Sequence, residues 1–257
     1  GEYEECLVKS RFLSQKAVEF ELFESMLIED GEIFLLERHL ERFRKSAAFF
    51  GMAVGEEIFK TLEKLVIDYP VGSWKVRIAT GKKSLSTDVT PAPASKEMRV
   101  ALASDAVDSS DRFLFHKTTH RNYRDDVIYW NERNEVTESG IANVVVRFSD
   151  ELFTPPVSSG LLAGTFRDHL LAAGTIKERV ITVEELKNAD ELFLINSVRK
   201  WIKATLVVEQ NLRTSAPELL QARIAELKSK IGSGGLREAG IRALLYVGSA
   251  RGMVDER

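Results

Sequence analysis

Residues 20–36 constrain what this chain can become more than any other stretch. "FELFESMLI" (Phe20 to Ile28) alternates and carries strand-forming residues, then meets Asp30-Gly31, and "EIFLL" returns as a second strand. Side chains two apart share one face of a strand, and an Asp-Gly pair between two such runs signals a tight hairpin. A lone two-stranded hairpin is marginal in water, so later segments must cover its apolar face.

"ERHLERFRKSAAFFG" follows at helical period, with Leu40, Phe43, Ala47 and Phe50 on one side and Gly51 as the C-cap. A second helix is predicted from about Gly55 to Tyr69, ending before Pro70, and "SWKVRIAT" and "EMRVALA" read as strands separated by the turn-rich "TDVTPAPAS". With a charged helix over residues 1–18, this predicts a small α+β unit over 1–110, bounded at "DSSDR".

The next unit, 111–210, should contain the strands "DDVIYWNE", "IANVVVRF", "ELFTPP" and "ELFLIN". A helix from Thr165 closed by Gly174 and a short helix with a Thr182/Glu185 capping box lie among them. Over 211–257 the texture changes: Ser215 opens an amphipathic helix with Leu220, Ile224, Leu227 and Ile231 aligned, and "LREAGIRALLYV" follows Gly234-Gly235 as a helical hairpin. The fold class is therefore α/β in the mixed, α+β sense, with a helical tail.

Composition removes several function classes. Lys plus Arg at 36 against Asp plus Glu at 39 leaves a net charge of -3 and no basic block, so nucleic acid is not an expected partner. Cys6, the single cysteine, cannot form an internal disulfide, and "GEYEECLVKS" has no basic start or apolar run for secretion. The expectation is a cytoplasmic protein. No apolar run approaches the roughly 18 residues needed to cross a bilayer, so no membrane role is expected.

The chemistry starts at "FLFHKTTHR", where Lys117 stands directly behind a mostly apolar run. Desolvation there penalises the ammonium and favours the neutral amine, although a lysine in such a place can also bury its stem alone and send its charge to water. "NEVTESGIANVVV" follows, placing Glu138 twenty-one residues beyond Lys117 and Asn143 just ahead of an apolar run. "TPPVSSGLLAGTFRDHLL" then sets a glycine turn at a helix start, where free amides and a positive dipole end suit an anion such as a phosphate.

In this order, behind "FELFES" and "LLERHLERF" and ahead of "ELFLINSVRKW", these motifs resemble the fold type IV pyridoxal-phosphate enzymes. That family includes branched-chain and D-amino acid aminotransferases and 4-amino-4-deoxychorismate lyases. The likeness covers about residues 1–208 and is strongest to the lyases, above all the lyase unit fused behind aminodeoxychorismate synthase component I, whose end "EYEECLVKSRFL" resembles.

The resemblance implies a two-domain fold, a pyridoxal 5'-phosphate cofactor, no metal site, a homodimer, and a fused or associated synthase. It puts Lys117 where the family attaches the cofactor through a neutral amine, and Glu138 where a carboxylate faces the pyridine nitrogen. Arg42 matches the arginine on the cofactor phosphate, and the amides of Thr165 and Phe166 after Gly164, the Ser197 hydroxyl and the neighbouring Asn196 complete the phosphate end. Leu162 matches the residue packed on the ring.

Ser25 takes the position of a hydroxyl acid that protonates the departing enol in the lyases. Arg121, Arg199 and Asn143 are candidates for substrate binding. The implied reaction converts 4-amino-4-deoxychorismate to 4-aminobenzoate and pyruvate, a step of folate biosynthesis. Two other readings stand beside it: a branched-chain or D-amino acid aminotransferase on the same scaffold, and a catalytically inactive partner domain. One departure is plain, since the Lys117–Glu138 interval lacks a helix of roughly three turns that the family carries there.

Overall fold

In the computed structural model, which describes residues 19–81, 85–121 and 123–207, the hairpin forms. β1 (Leu22–Glu29) turns through Asp30 and Gly31, at φ 47° and 81°, into a short β2 (Glu32–Ile33). The expected helix over 1–18, Cys6 and the helical tail over 211–257 lie outside the described residues.

The cover that β1 needs comes from α1 (Leu36–Phe49) and α2 (Glu57–Asp68), whose buried Leu40, Phe43, Ala47, Ile58, Leu62 and Leu65 meet Leu22, Met26 and Ile28. Gly51 takes the left-handed conformation, φ 64°, just past α1. β3 (Ser73–Thr80) pairs along all of β1, and β4 (Leu85–Pro91) completes a four-stranded antiparallel sheet. β4 corrects the expectation of a simple turn over "TDVTPAPAS". It is an edge strand with mostly exposed side chains, so it lacks apolar alternation, and Pro91 sits at its end where no ladder bond is lost.

Beyond it the chain enters a second, eight-stranded sheet: β5 (Met98–Leu102), β6 (Val127–Trp130), β7 (Val136–Ser139), β8 (Asn143–Phe148), β9 (Glu151–Thr154), β10 (Lys177–Glu178), β11 (Glu191–Asn196) and β12 (Lys200–Leu206). The strand order is β10-β9-β8-β11-β12-β5-β6-β7, and β7 pairs back onto β8, so six of the strands close into a ring. β5 belongs to this sheet, which moves the change of sheet to between Pro91 and Met98, ahead of "DSSDR".

Val100, Ile128, Val136, Val144, Val146, Leu194 and Ile202 share one core cluster of this sheet. Val145 and Ile195, one step out of phase with Val144, Val146 and Leu194, pack instead with Phe166 and Leu170 of α3 (Thr165–Ala172). Coverage of both faces explains the unbroken "NVVV" run. α4 (Val183–Lys187) carries the Thr182/Glu185 capping box, and Gly174 closes α3 at φ 68°. β7 and β12 were not expected as strands: "VTES" is too short and polar to show a period, and "KWIKATL" lies beyond the last strand read from the sequence.

Candidate active site

A cavity of about 320 Å³ opens between the first sheet and one end of the strand ring. Every site residue named from the sequence borders it. How each gets there follows from local bonding.

Lys117 follows a 3-10 turn (Arg112–Phe115) and runs beside β1. Its carbonyl accepts from the Phe23 N–H at 3.1 Å, and the Thr119 N–H donates to the Glu21 carbonyl at 2.9 Å. Its Nζ lies 4.7 Å from the centroid of the Phe23 ring, whose centroid is 3.7 Å from the Arg77 guanidinium carbon. Among the described residues Nζ makes no hydrogen bond, and burial, with Arg42 adding repulsion against the pull of Glu24, brings its pKa down to about 8.

The sign gives a test. The amine is neutral above about pH 8, so capture of an added aldehyde by the cofactor-free protein should accelerate about tenfold per pH unit up to that point and then level. Borohydride-trapped adduct on Lys117, measured against time at each pH, reads this directly. A rate still climbing toward the ordinary lysine value of 10.5 would contradict it.

Glu138 sits on β7 directly opposite Asn143 of β8, and Ser139 Oγ tightens the intervening turn by accepting from the Ala142 N–H at 3.1 Å. The two strands hold Leu162 between them: its N–H donates to Glu138 Oε1 at 2.9 Å, and its carbonyl accepts from Asn143 Nδ2 at 2.8 Å. Arg121 pairs with the same Glu138 oxygen and lies 4.8 Å over the Tyr123 ring. Burial raises the Glu138 carboxyl above its usual range against the opposing pull of Arg121 and the Leu162 amide.

The anion-binding end is built on α3. Gly164 precedes the helix without a side-chain cap, leaving the first amides of α3 free of a capping group. A Cβ at Gly164 would collide with the Asn143 side chain, so a larger residue here would have to displace the amide that holds the Leu162 carbonyl. Arg42 reaches the turn from α1, donating from Nη1 to the Ala163 carbonyl at 3.2 Å.

At the far wall, Asn196 closes the β11–β12 turn by accepting from the Val198 and Arg199 amides at 3.0 and 2.8 Å, and its Nδ2 donates to the Ile141 carbonyl at 3.2 Å. Its amide is thus committed to the protein. The Ser197 hydroxyl, expected on the cofactor phosphate, donates instead to the Ser25 carbonyl at 3.2 Å. Arg199 Nη1 meets Met98 Sδ at 3.7 Å.

Several lining residues escaped sequence reasoning. Lys75 and Arg77 stand on the β3 face opposite the buried Val76 and Ile78, and Arg77 is in register with Ser25. The alternation in "SWKVRIAT" carried that signal. Glu24 and His39, beneath Arg42, were also missed. Glu24 shares its strand phase with Leu22 and Met26, and a glutamate in a core phase needs buried partners.

Those partners are on hand. Arg42 donates to Glu24 from Nε at 2.9 Å and Nη2 at 2.5 Å, and His39 Nδ1 lies 2.8 Å from Glu24 Oε2. Burial alone would raise the Glu24 carboxyl, but Arg42 and His39 outweigh it and hold the pKa at about 2. Burial keeps His39 neutral by lowering its pKa.

The residues fit pyridoxal phosphate as a donor set. A buried Arg121 Nε has no hydrogen-bond partner among the described residues, the glycine turn leaves room for an anion, and Lys117 and Glu138 face one void. The missing helix between them does not keep the two from bordering one cavity, because Lys117 is anchored to β1 and Glu138 to the ring.

The sequence profile of the amino-transferase class IV family matches residues 21–207. A Schizosaccharomyces pombe protein described as a candidate aminodeoxychorismate lyase is 30% identical over 228 residues, covering 80% of this chain and 96% of that one. The D-alanine aminotransferase of Bacillus licheniformis is 24% identical over 232 residues, covering 76% and 82%. Among solved structures, a Mesorhizobium loti protein described as a candidate amino-acid aminotransferase superposes with TM-score 0.67 at 32% identity, over 74% of this chain and 100% of its own.

Proposed function

This chain belongs to the amino-transferase class IV family, whose enzymes use pyridoxal 5'-phosphate, and from that premise we propose that it is a lyase forming 4-aminobenzoate and pyruvate from 4-amino-4-deoxychorismate. The observation that carries this reading is the cavity face of the first sheet, where Lys117 and Arg77 both stand over the Phe23 ring. Ser25, Lys75 and Arg77 project there together, and neither cation makes an ion pair among the described residues. Two free cations suit a substrate with two carboxylates, whereas branched aliphatic side chains would call for an apolar wall.

When bound, pyridoxal phosphate supplies an aldehyde for amine exchange and a ring that takes up an electron pair. Arg42 and the amides of Thr165 and Phe166 would hold its phosphate, and Glu138 would accept from its ring nitrogen. Lys117 Nζ would hold the cofactor in the resting site and, once released from it, would accept the proton from the amine-bearing carbon of the substrate. Ser25 Oγ protonates the departing enol, and Lys75, Arg77 and Arg199 bind carboxylates, with Arg121 and Asn143 shaping the ring end. The same reading takes the protein as a cytoplasmic homodimer acting beside, or fused to, the synthase that makes its substrate.

Incubation with aminodeoxychorismate tests it. Pyruvate released without any added acceptor supports the lyase. Strict dependence on a 2-oxoacid would make the protein an aminotransferase, and no turnover in either assay would leave an inactive partner domain.

A further inference from the structure

Beneath the cavity lies a polar chain whose two inner members, Glu24 and His39, no step above uses. It starts at the Ala163 carbonyl, passes through Arg42 to Glu24 and on to His39, and ends at the Thr165 hydroxyl, 3.3 Å from His39 Nε2. Both of its ends therefore lie in the same turn. Resting on the cofactor reading, we infer that Glu24 and His39 are positioning residues for phosphate recognition, locking the Arg42 guanidinium and the Thr165 hydroxyl into one arrangement around the 163–165 turn.

The geometry argues this in two limbs. A guanidinium has five N–H donors in one plane, and two of those on Arg42 engage both oxygens of one carboxylate, which removes rotation about its last bond. A third is held by Ala163, so two N–H groups remain, in a fixed direction beside the start of α3. Without Glu24, the same arginine would have a free choice of rotamer and would lose it only on binding.

In the second limb the Glu24 carboxylate faces His39 Nδ1 and so assigns the proton to that nitrogen, leaving Nε2 as an acceptor. The Thr165 hydroxyl then donates to His39 and cannot donate to a ligand, so Thr165 meets an anion through its backbone N–H. Glu24 is 4% and His39 0% exposed, and neither lines the cavity itself. An apolar pair would fill that core site with no desolvation penalty, which makes a purely structural role for the charges a poor explanation.

The test compares two aldehydes on cofactor-free protein: pyridoxal 5'-phosphate and pyridoxal, which differ only in the phosphate. Dissociation constants come from absorbance titration, with the borohydride-trapped fraction on Lys117 as a second readout. Glu24→Gln should weaken pyridoxal phosphate by about 10- to 100-fold, the range for losing charge-assisted hydrogen bonds, and pyridoxal by less than about threefold. His39→Asn keeps a donor near the Nδ1 position and the Glu24–Arg42 pair but severs the Thr165 limb. It should show the same selectivity at smaller size, and it carries the comparison if Glu24→Gln does not fold.

Equal losses for both aldehydes, or an unchanged preference for the phosphorylated one in the folded variants, would overturn the inference. A wild-type protein that takes up neither aldehyde would overturn it together with the cofactor reading. Because no turnover is measured, failure of the lyase assay leaves this comparison standing, and the reverse also holds.

Discussion

Replacing Lys117 with alanine should lower pyruvate release from aminodeoxychorismate by at least ~10⁴-fold, the upper range for loss of a positioned acid–base group, because the covalent hold on the cofactor goes with it. Among the described residues no other amine takes its place: Lys75, the other lysine on the cavity, belongs to β3, which pairs on the far side of β1 from the Lys117 segment. The fold should survive, since Lys117 Nζ makes no hydrogen bond among the described residues and its segment is held through the backbone to β1. The checks are initial rates together with borohydride labelling, which should vanish from the peptide carrying position 117. A variant keeping a tenth of the wild-type rate would remove Lys117 from the chemistry.

Glu138→Gln should lower kcat by about 10²- to 10³-fold, the size seen when one preorganised electrostatic partner is removed from a water-poor site. The side chain keeps its volume and can still accept from the Leu162 N–H, so binding of the cofactor phosphate at the other end of the cavity should be spared. Loss of the carboxylate charge also leaves Arg121 without its ion partner. Glu138 is buried and Arg121 largely so, at 4% and 12% side-chain exposure, so stability should fall by about 1–3 kcal/mol. Urea unfolding measures that fall, and kcat on protein saturated with pyridoxal phosphate measures the chemistry apart from it. A kcat within threefold of wild type would mean that Glu138 does not face the reacting ring.

The two buried glutamates show what burial alone does not decide. Glu24 and Glu138 both lie in dry surroundings, yet one is pulled to about 2 and the other rises. Glu24 meets an arginine through both oxygens and a histidine besides, whereas Arg121 and the Leu162 amide crowd onto a single oxygen of Glu138. Pairing geometry, set by which elements face each other, decides which way each carboxyl shifts.

Local order was legible where one segment carries its own cause. The alternation of "FELFESMLI", the Asp-Gly turn, the helical stripe of "HLERF", the Thr182/Glu185 box and the glycines past two helices each act within a few residues, and each forms where its pattern lies. Edge strand β4 was hidden because exposed strands need no apolar period, and β7 because "VTES" is buried by its neighbours rather than by its own hydrophobicity.

By itself the sequence determined the phases of the strands and helices, the open turn before Thr165 and the apolar approach to Lys117, since these rest on side-chain period, glycine geometry and desolvation acting over short spans. Only the tertiary structure decided that Glu138 shares a void with Lys117 despite the shortened interval, that Lys75 and Arg77 line that same void, and that His39 meets a hydroxyl 126 positions away. The partner of a buried charge is chosen by how separate sheets and helices meet, and no periodicity along the chain encodes that meeting.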